Sequence, residues 1–217
     1  MQRKERYERI LRFFREQTPE VTTELHFGNA FQLLVAVVLS AQCTDKRVNM
    51  VTPALFARYP TAHAMAQANV EEVYDYVKSV SYPNAKAGYL VAMARMIEEE
   101  FGGEVPSQMS DMLRLPGVGR KTANVLQAVW FGKATMAVDT HVYRVSHRLG
   151  LVPPSANTPL KVERELMRNI PTDDVPNAHH WLLLHGRYVC KSGKPSCATC
   201  PFDSFCPKRL ANSKLRA

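Results

Sequence analysis

Two stretches of this chain carry residue types suited to nucleophilic chemistry on a phosphate-bearing polymer. One is Leu115-Pro116-Gly117-Val118-Gly119-Arg120-Lys121, and Val138-Asp139-Thr140-His141 follows shortly after. Pro116 offers no N–H and its ring clashes with a continuing helix, so it ends the apolar segment before it. Gly117 and Gly119 can take positive φ and expose their amides with no Cβ in the way. From Arg120 the pattern is helical, with Ala123, Leu126, Val129 and Trp130 on one face before Phe131-Gly132 closes it. The expectation is two short helices joined by a glycine turn whose N–H groups point outward at a helix N-terminus. Such a turn suits one backbone phosphate and is blind to base identity. An ordinary helix-loop-helix corner would use the same two glycines, so the glycines alone do not choose.

Lys121 and Asp139 add the chemistry. Lys121 falls in the first turn of the second helix, where the positive end of the macrodipole disfavours an ammonium and favours the free amine. Asp139 precedes the periodic segment Thr140 to Leu149, where a carboxylate is stabilised by the helix N-terminus. A plain N-cap explains Asp139 as well as a catalytic role does, and the two are compatible.

Cys190, Cys197, Cys200 and Cys206 have the spacing C-x6-C-x2-C-x5-C. In a cytoplasmic chain this is a metal-site pattern, and four thiolates can hold Zn²⁺ or an iron–sulfur cluster; spacing does not decide between them. Lys191, Lys194, Lys208 and Arg209 surround the loop, so a metal there would order a basic surface, or act only as a structural staple. Cys43 stands apart and reads as a small buried residue.

The elements that must position these groups are nearly all helical. Asn29 to Leu39 is apolar on almost every face and predicts a central buried helix. Before it, Tyr7, Ile10, Leu11 and Phe14 form the apolar side of an N-terminal helix closed by Pro19, with Arg3, Lys4, Arg6, Arg9, Arg12 and Arg15 on the solvated side. Further helices are expected near 45–58, 62–67, 70–79, 85–101, 107–113, 120–131, 139–149, 159–169 and 174–188. Period-two alternation is almost absent, so the fold class is all-α. The expected division is a helical domain over 22–134, with the glycine turn inside about 107–131, and a second domain from 1–21 plus 135–217.

Composition bounds the partners. The chain has 217 residues, 46% of them hydrophobic, enough for one large or two modest cores. A net charge of +8 with pI near 9.4 favours a polyanion without identifying one. The charged N-terminus is not followed by the apolar segment of a signal peptide, and the longest apolar run, Leu33 to Leu39, is too short to span a bilayer. The expectation is a soluble cytoplasmic protein, nucleoid-associated if bacterial, with no membrane partner and no sign of an obligate oligomer.

Taken in order, Leu39-Ser40-Ala41-Gln42, Thr44-Asp45, Leu115 to Asn124, Ala137 to His141, His180-Trp181, Leu184-His185-Gly186-Arg187-Tyr188 and the four cysteines resemble the endonuclease III family of helix-hairpin-helix DNA glycosylases. The resemblance runs from Phe31 to Cys206. It implies two all-helical domains with a DNA-binding cleft between them, a [4Fe–4S] cluster on the four cysteines, and removal of oxidised pyrimidines from duplex DNA. By motif position Lys121 would be the nucleophile and Asp139 its carboxylate partner, so that base removal and cleavage 3′ to the abasic site share one amine. Gln42 would enter the gap left by the flipped base. Gly117, Val118 and Gly119, followed by Arg120, would contact the phosphate, with a monovalent cation at the hairpin as an option. Asp45 would order the pocket.

One departure stands out. Where the family usually has a Gly-Leu-Tyr-Asn type of loop, this chain has Ser81-Tyr82-Pro83-Asn84, which puts Tyr82 at the wedge position and predicts a changed preference for the base opposite the lesion. Three other readings remain. An adenine-mismatch glycosylase shares hairpin and cluster but usually lacks the lysine and carries a further C-terminal domain, whereas this chain has Lys121 and stops soon after Cys206. A non-catalytic damaged-DNA-binding module with a structural metal, and a zinc loop in place of the cluster, are the others.

Overall fold

Periodicity translates directly into packing in the computed structural model, which describes residues 1–208. Among these residues the regular structure is helical, with two short 3-10 turns and no strand. The chain divides into two units, Glu24–Phe131 on one side and Met1–Thr23 with Gly132–Ala217 on the other. Arg209 lies outside the described residues.

The first unit is built round α2 (Ala30–Leu39), whose residues Leu33 to Leu39 are all buried. Asn29 caps it, its side chain accepting from Gln32 N at 2.9 Å. Around α2 stand α3 (Asp45–Arg58), α6 (Pro83–Phe101) and α8 (Arg120–Val129), with α4 (Ala62–Ala66), α5 (Val70–Val77) and α7 (Met109–Met112) completing the unit. α6 starts two residues earlier than its periodicity suggests because Pro83 occupies the first turn, where a missing N–H costs nothing. Gln127 of α8 donates through Nε2 to Ser107 O at 3.0 Å, fastening α8 to the segment that leads into α7.

The second unit draws on both chain ends. α1 (Arg3–Gln17) buries Tyr7, Ile10, Leu11 and Phe14 in a core shared with α9 (Thr140–Arg148), α10 (Pro159–Asn169) and α11 (Val175–Tyr188). Phe14 stacks on Trp181 with centroids 5.5 Å apart, and Phe202 closes the core from the cysteine loop. Each such side chain contributes about 1.5–3 kcal/mol through burial. Arg6 departs from the expected solvated face of α1: it is buried, and its guanidinium donates to Gly150 O at 3.0 Å and Met1 O at 3.3 Å. Two carbonyls compensate the buried charge, which no helical period could announce. Arg15 instead pairs with Asp174 from the surface.

Candidate active site

The hairpin turn is fixed by one hydrogen bond and one dihedral. Val118 N donates to Leu115 O at 3.1 Å, and Gly117 between them has φ +78°. Proline second and glycine third is the signature of a type II turn, in which the third residue must take positive φ. Glycine is required at 117 for a second reason, since an added Cβ would stand 2.9 Å from Tyr89 Cβ. Gly119 is different. Its φ of −96° and ψ of 175° are ordinary extended values, so the expectation of positive φ holds at Gly117 and fails at Gly119. A Cβ at 119 would meet no described atom within 4 Å. Nothing inside the described fold therefore demands glycine there, and the space is left to whatever approaches from outside. Val118 contributes differently from the expectation too: its amide is spent on the turn and its side chain is buried.

Gly119 is the N-cap of α8, so the cap residue itself brings no side chain to the helix N-terminus. The N-terminus of a helix presents its first amides outward, and a glycine cap leaves room for an anion to approach them. Arg120 and Lys121 are the first and second residues of the helix, and both are exposed. Gly119, Arg120 and Lys121 thus stand together at one helix N-terminus.

Asp139 caps α9, its Oδ1 accepting from Val142 N at 2.7 Å. The three residues before it, Met136 to Val138, are buried, and the buried His179 donates through Nδ1 to Ala137 O at 2.8 Å. Because a carbonyl can only accept, that hydrogen bond fixes the proton on Nδ1. α9 is pressed onto α11 at Gly186, where a Cβ would come within 2.9 Å of His141 Cβ. The carboxylate is therefore half-buried on a rigid mount.

Gln42 and Tyr82 share an unusual property. Both are exposed non-glycine residues with positive φ, 54° and 55°. A left-handed conformation costs such a residue about 1–2 kcal/mol, so surrounding contacts must hold it. Ser81 Oγ donates to Gln42 O at 2.7 Å, and the buried Lys86 donates through Nζ to Leu39 O at 2.8 Å and Ala41 O at 2.7 Å. Burial lowers the pKa of Lys86, with Cys43 acting weakly in the other direction. Neither Ser81 nor Lys86 emerges as functional from motif reading. A signal existed for Lys86, which lies in line with Leu90, Met93 and Ile97 on the core stripe of α6. Asp45 opens α3, and Cys43 is only half-buried, contrary to the reading of it as a core residue.

The four cysteines line one cavity of about 310 Å³, together with Arg148, Leu149, His185 and Val189. Among the described residues no three His, Cys, Asp or Glu side chains converge as the ligands of one metal ion. Burial raises the pKa of Cys200 and Cys206 and lowers that of His185 to about 4. Arg144 donates to Cys190 O at 3.1 Å and Gly186 O at 2.8 Å, while Arg148 donates to Lys191 O at 2.7 Å and Ser192 O at 2.8 Å. Both arginines project from α9, so the helix capped by Asp139 is also the helix that grips the cysteine loop. Lys208 is engaged with Asp203 at 2.8 Å.

Comparison with known proteins settles the family. Residues 35–172 match the HhH-GPD superfamily base excision DNA repair protein family. The chain is 45% identical over 198 residues to endonuclease III of Rickettsia conorii, covering 91% of this chain and 93% of that one. It is 43% identical over 197 residues to endonuclease III of Escherichia coli K12, covering 91% and 92%. This chain belongs to the endonuclease III family. Its fold superposes on a trapped endonuclease III–DNA covalent intermediate, an estranged-adenine complex, with TM-score 0.90, 40% identity and coverage of 96% and 97%. A thermostable thymine-DNA glycosylase shares the fold at TM-score 0.82 and 22% identity. As a member of this family the protein is a bifunctional base excision repair glycosylase and lyase, and the adenine-mismatch and non-catalytic readings are not favoured. Among the described residues no helix is long and apolar enough to cross a membrane.

Proposed function

We propose that the substrates are oxidised pyrimidines and abasic sites in duplex DNA, that Lys121 is the nucleophile, and that Asp139 is its carboxylate partner. The observation that carries the assignment is the place of Lys121: exposed on the first turn of α8, next to a glycine-capped helix N-terminus and a type II glycine turn. The amides of Gly117 and Gly119, with Arg120, hold one phosphate; Val118 holds the turn that presents them. Gln42 fills the gap left by the extruded nucleotide and Tyr82 wedges against the opposite strand, which offsets an unstacking cost of about a few kcal/mol. Residues 22–134 then form the DNA-reading domain, and 1–21 with 135–217 the domain that carries the cysteine loop.

In the reaction the Lys121 nitrogen bonds to C1′ as the bond from C1′ to the base breaks. Asp139 stabilises the positive charge that develops on the sugar and relays the proton lost by the amine to the departing base. Opening of the sugar ring gives the imine; loss of a C2′ proton then breaks the C3′–O bond, and water releases the lysine. A similar chain trapped as a covalent DNA intermediate supports an enzyme-linked route.

We assign the cysteine cavity to a [4Fe–4S] cluster. Four thiolates set around a hollow of about 310 Å³ suit a polynuclear group, whereas one Zn²⁺ needs four sulfurs about 2.3 Å from a common point. When bound, the cluster supplies four metal–thiolate bonds that fix the loop on α9. No step of the reaction passes through it or through a hairpin cation. The protein acts as a cytoplasmic monomer, at the nucleoid if bacterial.

The test is borohydride trapping on a duplex with one oxidised pyrimidine. An adduct in the wild type that disappears in Lys121→Ala is the expected result. An adduct that survives the substitution would remove Lys121 from its role, and none in either protein would remove the imine mechanism.

A further inference from the structure

The loop that carries Gln42 and the loop that carries Tyr82 lie far apart in sequence, yet one residue holds both. Lys86 N donates to Tyr82 O at 3.1 Å, closing the first turn of α6 beneath the tyrosine. The side chain of the same residue runs inward, 5% exposed, and its ammonium donates to Leu39 O and Ala41 O, the last carbonyl of α2 and the one before Gln42. Ser81 Oγ completes the link by donating to Gln42 O at 2.7 Å. A helix C-terminus leaves carbonyls without partners, and a cation there compensates both them and the dipole. The carbonyls at both ends of this tie thus flank the two exposed left-handed residues of the site.

We propose that Ser81 and Lys86 are positioning residues that lock Gln42 and Tyr82 into a single preformed probe, so that gap filling and opposite-strand wedging occur as one event. This rests on the reading of Gln42 and Tyr82 as the residues that enter the duplex. Without the brace, two strained, exposed residues relax independently in the free protein, and each must be ordered again when DNA binds. Ordering costs of this kind subtract directly from affinity for the distorted duplex. The brace touches neither the amine of Lys121 nor the hairpin turn, so its effect falls on opening the stack and not on forming the imine.

A duplex holding an abasic-site analogue with 2-aminopurine opposite it separates these effects, because fluorescence rises when that base leaves the stack. Ser81→Ala removes one hydroxyl from a half-buried site; Ser81→Thr restores the donor; Lys86→Met removes the ammonium and keeps the buried chain. For Ser81→Ala and Lys86→Met we expect most of the fluorescence rise to be lost, with recovery in Ser81→Thr. The rate of borohydride trapping on an abasic duplex should fall about 5- to 30-fold, the consequence of losing one or two hydrogen bonds. On a single-stranded abasic oligonucleotide, which has no stack to open, the fall should be at least fivefold smaller. Wild-type fluorescence that does not rise would overturn the reading of Gln42 and Tyr82 themselves. A rise retained in Ser81→Ala and in a folded Lys86→Met would overturn the brace while leaving that reading intact, and so would equal losses on single and double strands. Should Lys86→Met fail to fold, Ser81→Ala against Ser81→Thr decides alone.

Discussion

Gly117→Ala tests the hairpin turn against a control that the same unit provides. Two penalties apply at 117. The backbone has φ +78°, which costs an L-residue about 1–2 kcal/mol. The new Cβ would also stand 2.9, 3.0 and 3.1 Å from Cβ, Cγ and Cδ2 of Tyr89. The nearest of these is the root of the side chain on α6 and cannot swing away, so an overpacking cost of about 1–3 kcal/mol is added. Gly102 has φ +61° with no described atom within 4 Å of its Cβ, so Gly102→Ala incurs the dihedral penalty alone. The expected losses are about 2–5 kcal/mol for Gly117→Ala and about 1–2 kcal/mol for Gly102→Ala. Urea titration reads them, with half-exposed Trp130 reporting on the unit that holds both glycines and buried Trp181 on the other. Affinity for undamaged duplex is measured under conditions where both variants are folded. Relaxing the turn withdraws at least one phosphate-facing amide, so Gly117→Ala should bind about tenfold more weakly and Gly102→Ala like the wild type. Equal stability losses in the two variants would refute the Tyr89 contact. A destabilised Gly117→Ala that binds duplex as well as the wild type would refute the phosphate site.

The other predictions divide the site further. Gly119→Ala should cost less than about 1 kcal/mol of stability, as an N-cap exchange, yet weaken duplex binding about three- to tenfold; unchanged affinity, checked by titration at fixed salt, would show that the empty space at 119 serves no ligand. Tyr82→Leu should shift the ranking of bases opposite the lesion in single-turnover excision, and identical profiles would refute the wedge. Metal analysis of the purified protein should give iron and inorganic sulfide in equal, roughly fourfold molar amounts, and stoichiometric zinc without iron would overturn the cluster. Arg148→Ala should speed loss of that iron to a chelator while far-UV circular dichroism changes little, because the loop loses two of its carbonyl bonds to α9.

What the sequence made legible follows the range of the physics involved. Helix positions emerged because amphipathic periods, proline at a first turn and glycine at a helix end are local, and α1, α3 and α10 lie where those signals put them. The hairpin was legible for the same reason: its turn chemistry sits within four consecutive residues. Arg6 was misread because its partner, Gly150 O, is 144 residues away, and a charge on a helix is ordinarily solvated. Gly119 was misread in the opposite sense. Sequence cannot distinguish a glycine needed for its dihedral from one that keeps a surface open, and only the built backbone separates the two. Ser81 and Lys86 depend on contacts to carbonyls 39 to 47 residues back along the chain, which no motif encodes.

α6 borders both the proposed probe and the proposed phosphate site. Tyr82 is its left-handed N-cap, Lys86 lies in the first turns on the buried face, and exposed Tyr89 follows three residues later. The first is the proposed wedge, the second donates to the carbonyl before Gln42, and the third abuts Gly117 so closely that no Cβ fits between. The two proposed contacts read different properties of the duplex. Backbone binding is blind to sequence, and under the proposed function it is Gln42 and Tyr82 that meet the base stack. α6 thus borders both proposed contacts, at Tyr82 and at Tyr89.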